Sequence, residues 1–146
     1  MPGADEDWLA QAVALAAKCP PSTAAFSVGA VVVAACGALL ATGFSRETGP
    51  ADHAEEAALA KLPGAVPAGA TIYSSLEPCA TRASRPHPCA ELIIAAGLRR
   101  VVIAWREPPL FVPGGGAAVL ESAGADVIEI PALAAAARAP NAHLLS

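Results

Sequence analysis

The chain has 146 residues, a formal net charge of −4, an apolar content of 55% and only 15% charged residues. That length fits one domain able to bury a core without disulfides, and the apolar content excludes a disordered chain. The acidic balance, with Lys18 and Lys61 as the only lysines, speaks against a basic face that grips a nucleic acid.

Residues 5–18 read as a helix, because Trp8, Leu9, Ala12, Val13, Leu15 and Ala16 recur at helical spacing. Asp5, Glu6 and Asp7 sit at its start, where the helix dipole favours acids, and Pro20-Pro21 stops it. Residues 24–41 carry no charge for 18 positions, the lower bound for a membrane-spanning helix. The stretch contains Gly29, Gly37 and the β-branched run Val31-Val32-Val33, so it reads instead as two buried strands, 28–35 and 39–44, around a hairpin turn. A polar loop follows over 45–52, then a helix over 53–62 ended by Pro63-Gly64. A strand over 71–75 runs into Leu76-Glu77-Pro78-Cys79. A helix over 89–97, an apolar strand over 100–105, a helix over 117–123 and a strand over 126–130 come next. Pro131 opens a last alanine-rich helix through 132–139, at a position that proline tolerates. Strands separated by helices imply parallel pairs. The expectation is a three-layer α/β/α domain over residues 1–146, built on a five-stranded mixed sheet whose last strands are parallel. Residues 1–7 are acidic and no apolar h-region follows, so no signal peptide is read and a cytoplasmic location is expected. In that setting the cysteines are metal ligands or buried thiols rather than disulfides.

The informative residues are His53-Ala54-Glu55 and Pro78-Cys79, followed by Cys89. Each group opens a predicted helix that follows a strand, and in an open α/β sheet such loops converge on one crevice. One imidazole and two thiolates suit tetrahedral zinc, with a fourth position left for water. Cys19 and Cys36 read as bystanders. Glu55, two residues from His53, lies beside the metal rather than on it, which suits a proton shuttle. Glu56 reads as an acid stabilising the helix start.

The combination resembles the zinc-dependent nucleobase deaminases, whose H-x-E and P-C…C elements follow this logic. The resemblance runs from about residue 22 to 125 and rests on Ser22-Thr23-Ala24-Ala25-Phe26-Ser27-Val28-Gly29, Ala41-Thr42-Gly43-Phe44-Ser45-Arg46-Glu47, His53-Ala54-Glu55-Glu56 and Leu76-Glu77-Pro78-Cys79. It implies a cytidine deaminase-like fold, a zinc ion on His53, Cys79 and Cys89, and Glu55 as the catalytic acid/base. Nine residues separate Cys79 from Cys89, where cytidine-type enzymes usually have two. The long insertion is similar to that of the pyrimidine deaminases of riboflavin biosynthesis. The fungal type looks closer than the deaminase domain of the bacterial bifunctional enzymes, through Ser45-Arg46-Glu47 and the segment Glu107-Pro108-Pro109-Leu110-Phe111-Val112. The bacterial enzymes carry an Asn-Pro segment where this chain reads Ser22-Thr23-Ala24-Ala25-Phe26. No reductase domain follows, so deamination alone is expected.

The implied substrate is a small amino-pyrimidine such as a 2,5-diamino-6-(ribosyl- or ribityl-)amino-pyrimidinone 5′-phosphate. Arg46, Arg82 and Arg85 are the cationic candidates for its phosphate, since guanidinium binds phosphate as a fork. Phe26 is placed to stack on the ring and Ser45 to hydrogen-bond the sugar chain, with Ser75 and His87 completing the substrate-contact set. Trp105 closes an apolar strand, either walling the pocket or filling the core. A free nucleoside, nucleotide or base deaminase of cytidine, deoxycytidylate or guanine type is the alternative, as is a deaminase of specialised metabolism. A nucleic-acid deaminase and a catalytically inactive zinc protein fit less well. The partners expected are a small-molecule substrate and a second copy of the chain as a homodimer, with neither nucleic acid nor membrane.

Overall fold

The structure, a computed structural model, describes residues 2–81, 87–108 and 115–145. Its elements run α1 (Pro2–Ala16), β1 (Gly29–Val33), β2 (Leu39–Phe44), α2 (Ala54–Ala60), β3 (Thr71–Ser74), α3 (Cys89–Ala95), β4 (Arg100–Ile103), α4 (Gly116–Ser122), β5 (Asp126–Glu129), α5 (Ala134–Arg138) and α6 (Ala142–Leu145).

The uncharged stretch forms the hairpin that the valine run predicts. Every residue of β1 is buried, so its side chains are apolar or small on both faces. No helix among the described residues is long and apolar enough to cross a membrane. The strand order is β2-β1-β3-β4-β5. Strand β1 runs antiparallel to both neighbours, with Val31 opposite Thr42 and Tyr73, while β3, β4 and β5 are parallel.

Two glycines show how the layers close. A Cβ on Gly29 would fall 1.9 Å from the Ala12 carbonyl of α1, and one on Gly43 would fall 2.4 Å from the Ala54 carbonyl of α2. Gly43 sits opposite Ala30, the neighbour of Gly29. Successive residues of a strand face opposite sides, so α1 and α2 cover opposite faces of the sheet. Helix α3 packs beside α2 and α4 beside α3, while α5 lies against α1.

The helix predicted over 132–139 is present, its α-helical part being α5 with a 3₁₀ turn on either side. The tail is broken into α5 and α6, with 3₁₀ turns at Pro131–Leu133 and Ala139–Asn141. Pro140 has no N–H to give and its ring crowds the preceding turn, so a continuous α-helix cannot pass through it.

Because β1 is antiparallel to β3, the start of β1 shares an edge of the sheet with the ends of β2, β3 and β4. The residues before Gly29, and those after Phe44, Ser74 and Ile103, therefore meet at that edge.

Candidate active site

His53 precedes α2, Cys79 follows β3, and Cys89 opens α3. Nδ1 of His53 lies 3.5 Å from Sγ of Cys79 and 3.3 Å from Sγ of Cys89. The three ligand atoms all lie within 4.8 Å of one another. Zinc–sulfur bonds of about 2.3 Å and zinc–nitrogen bonds of about 2.0–2.1 Å, at a tetrahedral angle, set sulfur and nitrogen about 3.5 Å apart. The donor set fits zinc in both chemistry and spacing. Hydrogen bonding by the Cys89 thiol, reinforced by His53 and by the Cys89 backbone N–H at 3.2 Å, brings the Cys79 thiol down to about 4 against the opposing pull of burial. A thiolate is the form that ligates.

Local chemistry holds His53 in place. Its backbone N–H donates to Oε1 of Glu56 at 3.4 Å, so Glu56 caps the helix as its position predicts. Just upstream, Oδ2 of Asp52 accepts the N–H groups of Thr48 and Gly49, both at 2.8 Å, which closes the loop into a turn.

Glu55 is 4% exposed, and its Oε2 accepts the Ser74 hydroxyl at 3.0 Å. Burial, and then the negative charge of Cys79, push its carboxyl up from the ordinary range. His53, Glu55 and Cys79 all open on one cavity of about 560 Å³. Glu107 lines it too, and burial followed by the charges of Cys79, Glu55 and Glu77 pushes that carboxyl up to about 8. A cavity of this size accommodates a small molecule.

The predicted substrate residues divide. Phe26, Ser45 and Arg46 line the cavity. Phe26 stands edge-on to Trp105, with ring centroids 5.9 Å apart and planes at 81°. Ser45 Oγ accepts the Val28 N–H at 2.9 Å, which ties the end of β2 to the start of β1. Ser75 is buried, and its Oγ accepts the Gly29 N–H at 3.0 Å. His87 is exposed, with Nδ1 3.8 Å from Glu91 Oε1. Arg82 and Arg85 lie outside the described residues. The four cysteines are free thiols; Cys36 is exposed in the hairpin turn and Cys19 hydrogen-bonds the Val28 carbonyl at 3.4 Å.

Sequence reasoning missed two supports. Glu77, 5% exposed, accepts the Glu107 N–H at 2.9 Å and the Ala117 N–H at 2.7 Å, joining the Cys79 loop to the segment after β4 and to the start of α4. Ser74 holds Glu55. Glu77 had a signal, since it stands in Leu76-Glu77-Pro78-Cys79, but its partners lie 30 and 40 residues on.

Residues 2–105 match the family described as the cytidine and deoxycytidylate deaminase zinc-binding region. The chain belongs to this family. It is 40% identical over 128 residues to the diaminohydroxyphosphoribosylamino-pyrimidine deaminase of Schizosaccharomyces pombe, a match covering 85% of this chain and 31% of that protein. The deaminase-family fold is seen in Acinetobacter baumannii RibD, with a TM-score of 0.84 and 35% identity over 98% of this chain and 39% of that one. It is also seen in the Aspergillus oryzae Rib2 deaminase in complex with DARIPP, with a TM-score of 0.77 and 22% identity over 97% of this chain and 96% of that one. The chain spans about a third of the length of the first of these, the curated S. pombe relative.

Proposed function

We propose that this chain is a zinc-dependent aminohydrolase that removes an exocyclic amine from a small amino-pyrimidine. The substrate we infer is the riboflavin-pathway 2,5-diamino-6-(ribosyl- or ribityl-)amino-pyrimidinone 5′-phosphate; the S. pombe relative is named as a deaminase of a phosphoribosylamino-pyrimidine and an Escherichia coli relative as a riboflavin biosynthesis protein. The observation that carries this reading is the buried Glu55 carboxylate beside His53 and Cys79, on the wall of a cavity sized for one small molecule.

The overall exchange consumes water, breaks the ring carbon–nitrogen bond to the amine, and releases ammonia and the corresponding carbonyl. Zinc, when bound, supplies Lewis acidity and makes a hydroxide-equivalent nucleophile available near neutral pH. The residues of the chain do the rest. Glu55 takes a proton and returns it to the departing nitrogen, acting in turn as base and acid. Ser74 fixes the carboxylate for both steps. Phe26 lines the cavity, where its ring can stack on the flat pyrimidine.

Purified protein loaded with zinc should release ammonia from the ribosyl or the ribityl form of the pyrimidine phosphate. Cytidine, deoxycytidylate and guanine complete the panel. Turnover of one of these three, with neither pyrimidine phosphate accepted, would overturn the substrate reading. We also infer a cytoplasmic homodimer. A single species at the monomer mass in sedimentation velocity would overturn the pairing.

A further inference from the structure

Arg46 enters the cavity wall from an unusual backbone. It is the only non-glycine residue at positive φ (60°) among the described residues, in the turn that follows β2. Its guanidinium is engaged on several sides. Nε and Nη2 both donate to the Pro20 carbonyl, at 3.1 and 2.8 Å, Nη2 also donates to Ser27 Oγ at 2.6 Å, and Nη1 donates to the Phe26 carbonyl at 3.2 Å. A guanidinium has five N–H donors, and a phosphate is gripped by two of them lying side by side on one edge. Four hydrogen bonds leave neither edge with a free pair.

The segment so held is also held from the other end of the chain. Asn141, 1% exposed, accepts the Ser27 N–H on Oδ1 at 2.6 Å and donates from Nδ2 to the Ser27 carbonyl at 3.0 Å. His143 Nε2 donates to the Ser22 carbonyl at 2.6 Å. Residues 20–27 form no helix or strand, so these side chains supply bonds that a regular element would otherwise provide. The segment carries Phe26. Its partner Trp105 has the Arg138 guanidinium 5.1 Å from the ring centroid on the side of the C-terminal helices.

We propose that Arg46 and Asn141 are positioning residues that clamp residues 20–27 from two sides and hold Phe26 as the aromatic wall of the cavity, with the Arg46 guanidinium committed to this clamp rather than to a substrate phosphate. The proposal rests on the amino-pyrimidine reading for its kinetic readout, but not for its structural one.

The test compares R46K, R46Q and N141A with the parent on two substrates, the pyrimidine phosphate and the same compound after phosphatase treatment. A clamp acting through stacking predicts that KM rises about tenfold for both substrates, with kcat changed less than about threefold. R46K should fail as R46Q does, since an ammonium preserves the charge but cannot span Pro20, Phe26 and Ser27. In an F26L background, R46K should add less than about twofold. A rise confined to the phosphorylated substrate, or full rescue by R46K, would overturn the proposal and make Arg46 a phosphate ligand. The second readout needs no turnover. In a W8F background, acrylamide quenching of Trp105 should rise about twofold in R46K and N141A, and unchanged quenching would overturn the clamp. A parent that deaminates neither pyrimidine form would sink the substrate reading alone, and the quenching arm would still decide the clamp.

Discussion

The Ser74 hydroxyl lies 3.0 Å from Oε2 of Glu55 and 2.7 Å from the carbonyl oxygen of Leu76. One hydroxyl carries one proton, so it can donate to only one of these acceptors at a time. When it donates to Glu55, the carboxylate is ionised. When it turns to Leu76, its oxygen can accept a hydrogen bond from the neutral acid. Ser74 therefore satisfies Glu55 in both states, as the proton shuttle proposed above requires. Glu55→Gln should lower kcat by about 10²–10⁴ while zinc content stays at the parental value. Ser74→Ala should cost about tenfold in kcat, because a buried carboxylate loses its fixed donor. Steady-state rates beside metal analysis check both, and parental turnover in Glu55→Gln would remove the mechanism.

The metal set predicts a separable loss. His53 precedes α2, Cys89 opens α3 and Cys79 lies in the loop after β3, so the ion joins α2, α3 and that loop as well as serving chemistry. Cys79→Ser and Cys89→Ser should each bind less than about a tenth of the parental zinc and melt at a lower temperature, since metal binding free energy is also folding free energy. Elemental analysis with thermal melts checks this. Chelator treatment should abolish turnover, and added zinc should restore it.

How much of this was readable in advance depends on how local each relationship is. The zinc triad was legible, because His53 and Cys89 stand at helix starts and Cys79 follows a strand whose end meets them at one sheet edge; the reading that Cys79 itself opens a helix is corrected, since it lies in a loop before α3. The Val31-Val32-Val33 run, with Gly29 and with Gly37 at the turn, spoke for strands rather than a membrane span. The last helix was read to stop at 139, and Pro140 stands where α5 gives way to α6; the short α6 beyond it has no sequence signal of its own. Arg46 reads from sequence as a free cation in a polar loop. Which way its donors turn depends on Pro20 and Phe26, 26 and 20 residues upstream, and no local pattern records that. Ser74 reads as an ordinary strand serine until α2 packs Glu55 against it.

Asp5 gives a pH prediction with a definite sign. The Arg100 guanidinium donates to both its carboxyl oxygens, at 2.8 and 2.6 Å, and the Tyr73 hydroxyl adds a bond at 2.7 Å, which ties α1 to β3 and β4. The hydrogen bond from Arg100 is the main cause that lowers its pKa from 3.8 to about 2. A carboxyl depressed on folding contributes stability that is complete above its unfolded value and lost as pH falls through its folded value. Here that contribution is about 2 kcal/mol, present above about pH 4 and lost on descending towards pH 2. Urea unfolding between pH 5 and pH 2 should show the parent losing this increment. Asp5→Asn should start less stable at pH 5 and lack that part of the slope. Parallel curves for the two proteins would show that the pair contributes nothing.

Glu77 carries the last prediction. Its two carboxylate oxygens accept from two backbone N–H groups, those of Glu107 and Ala117, in a nearly dry position. The start of α4 is so close to the metal loop that a Cβ on Gly116 would fall 1.6 Å from the Pro78 carbonyl, so the two backbones are packed directly against each other. In Glu77→Gln, one oxygen becomes an NH₂ that faces an N–H, donor against donor. A buried group left unpaired costs about 1–3 kcal/mol, which for a domain of this length lowers Tm by roughly 2–12 °C. Pro78 and Cys79 follow directly, so the same change should loosen a zinc ligand, and loss of such outer support typically weakens metal binding about 10–100-fold. Thermal melts and competition against a calibrated chelator measure the two effects. A variant that melts lower yet holds zinc as tightly as the parent would confine Glu77 to the packing of α4. A variant unchanged in both would show that neither N–H depends on the carboxylate.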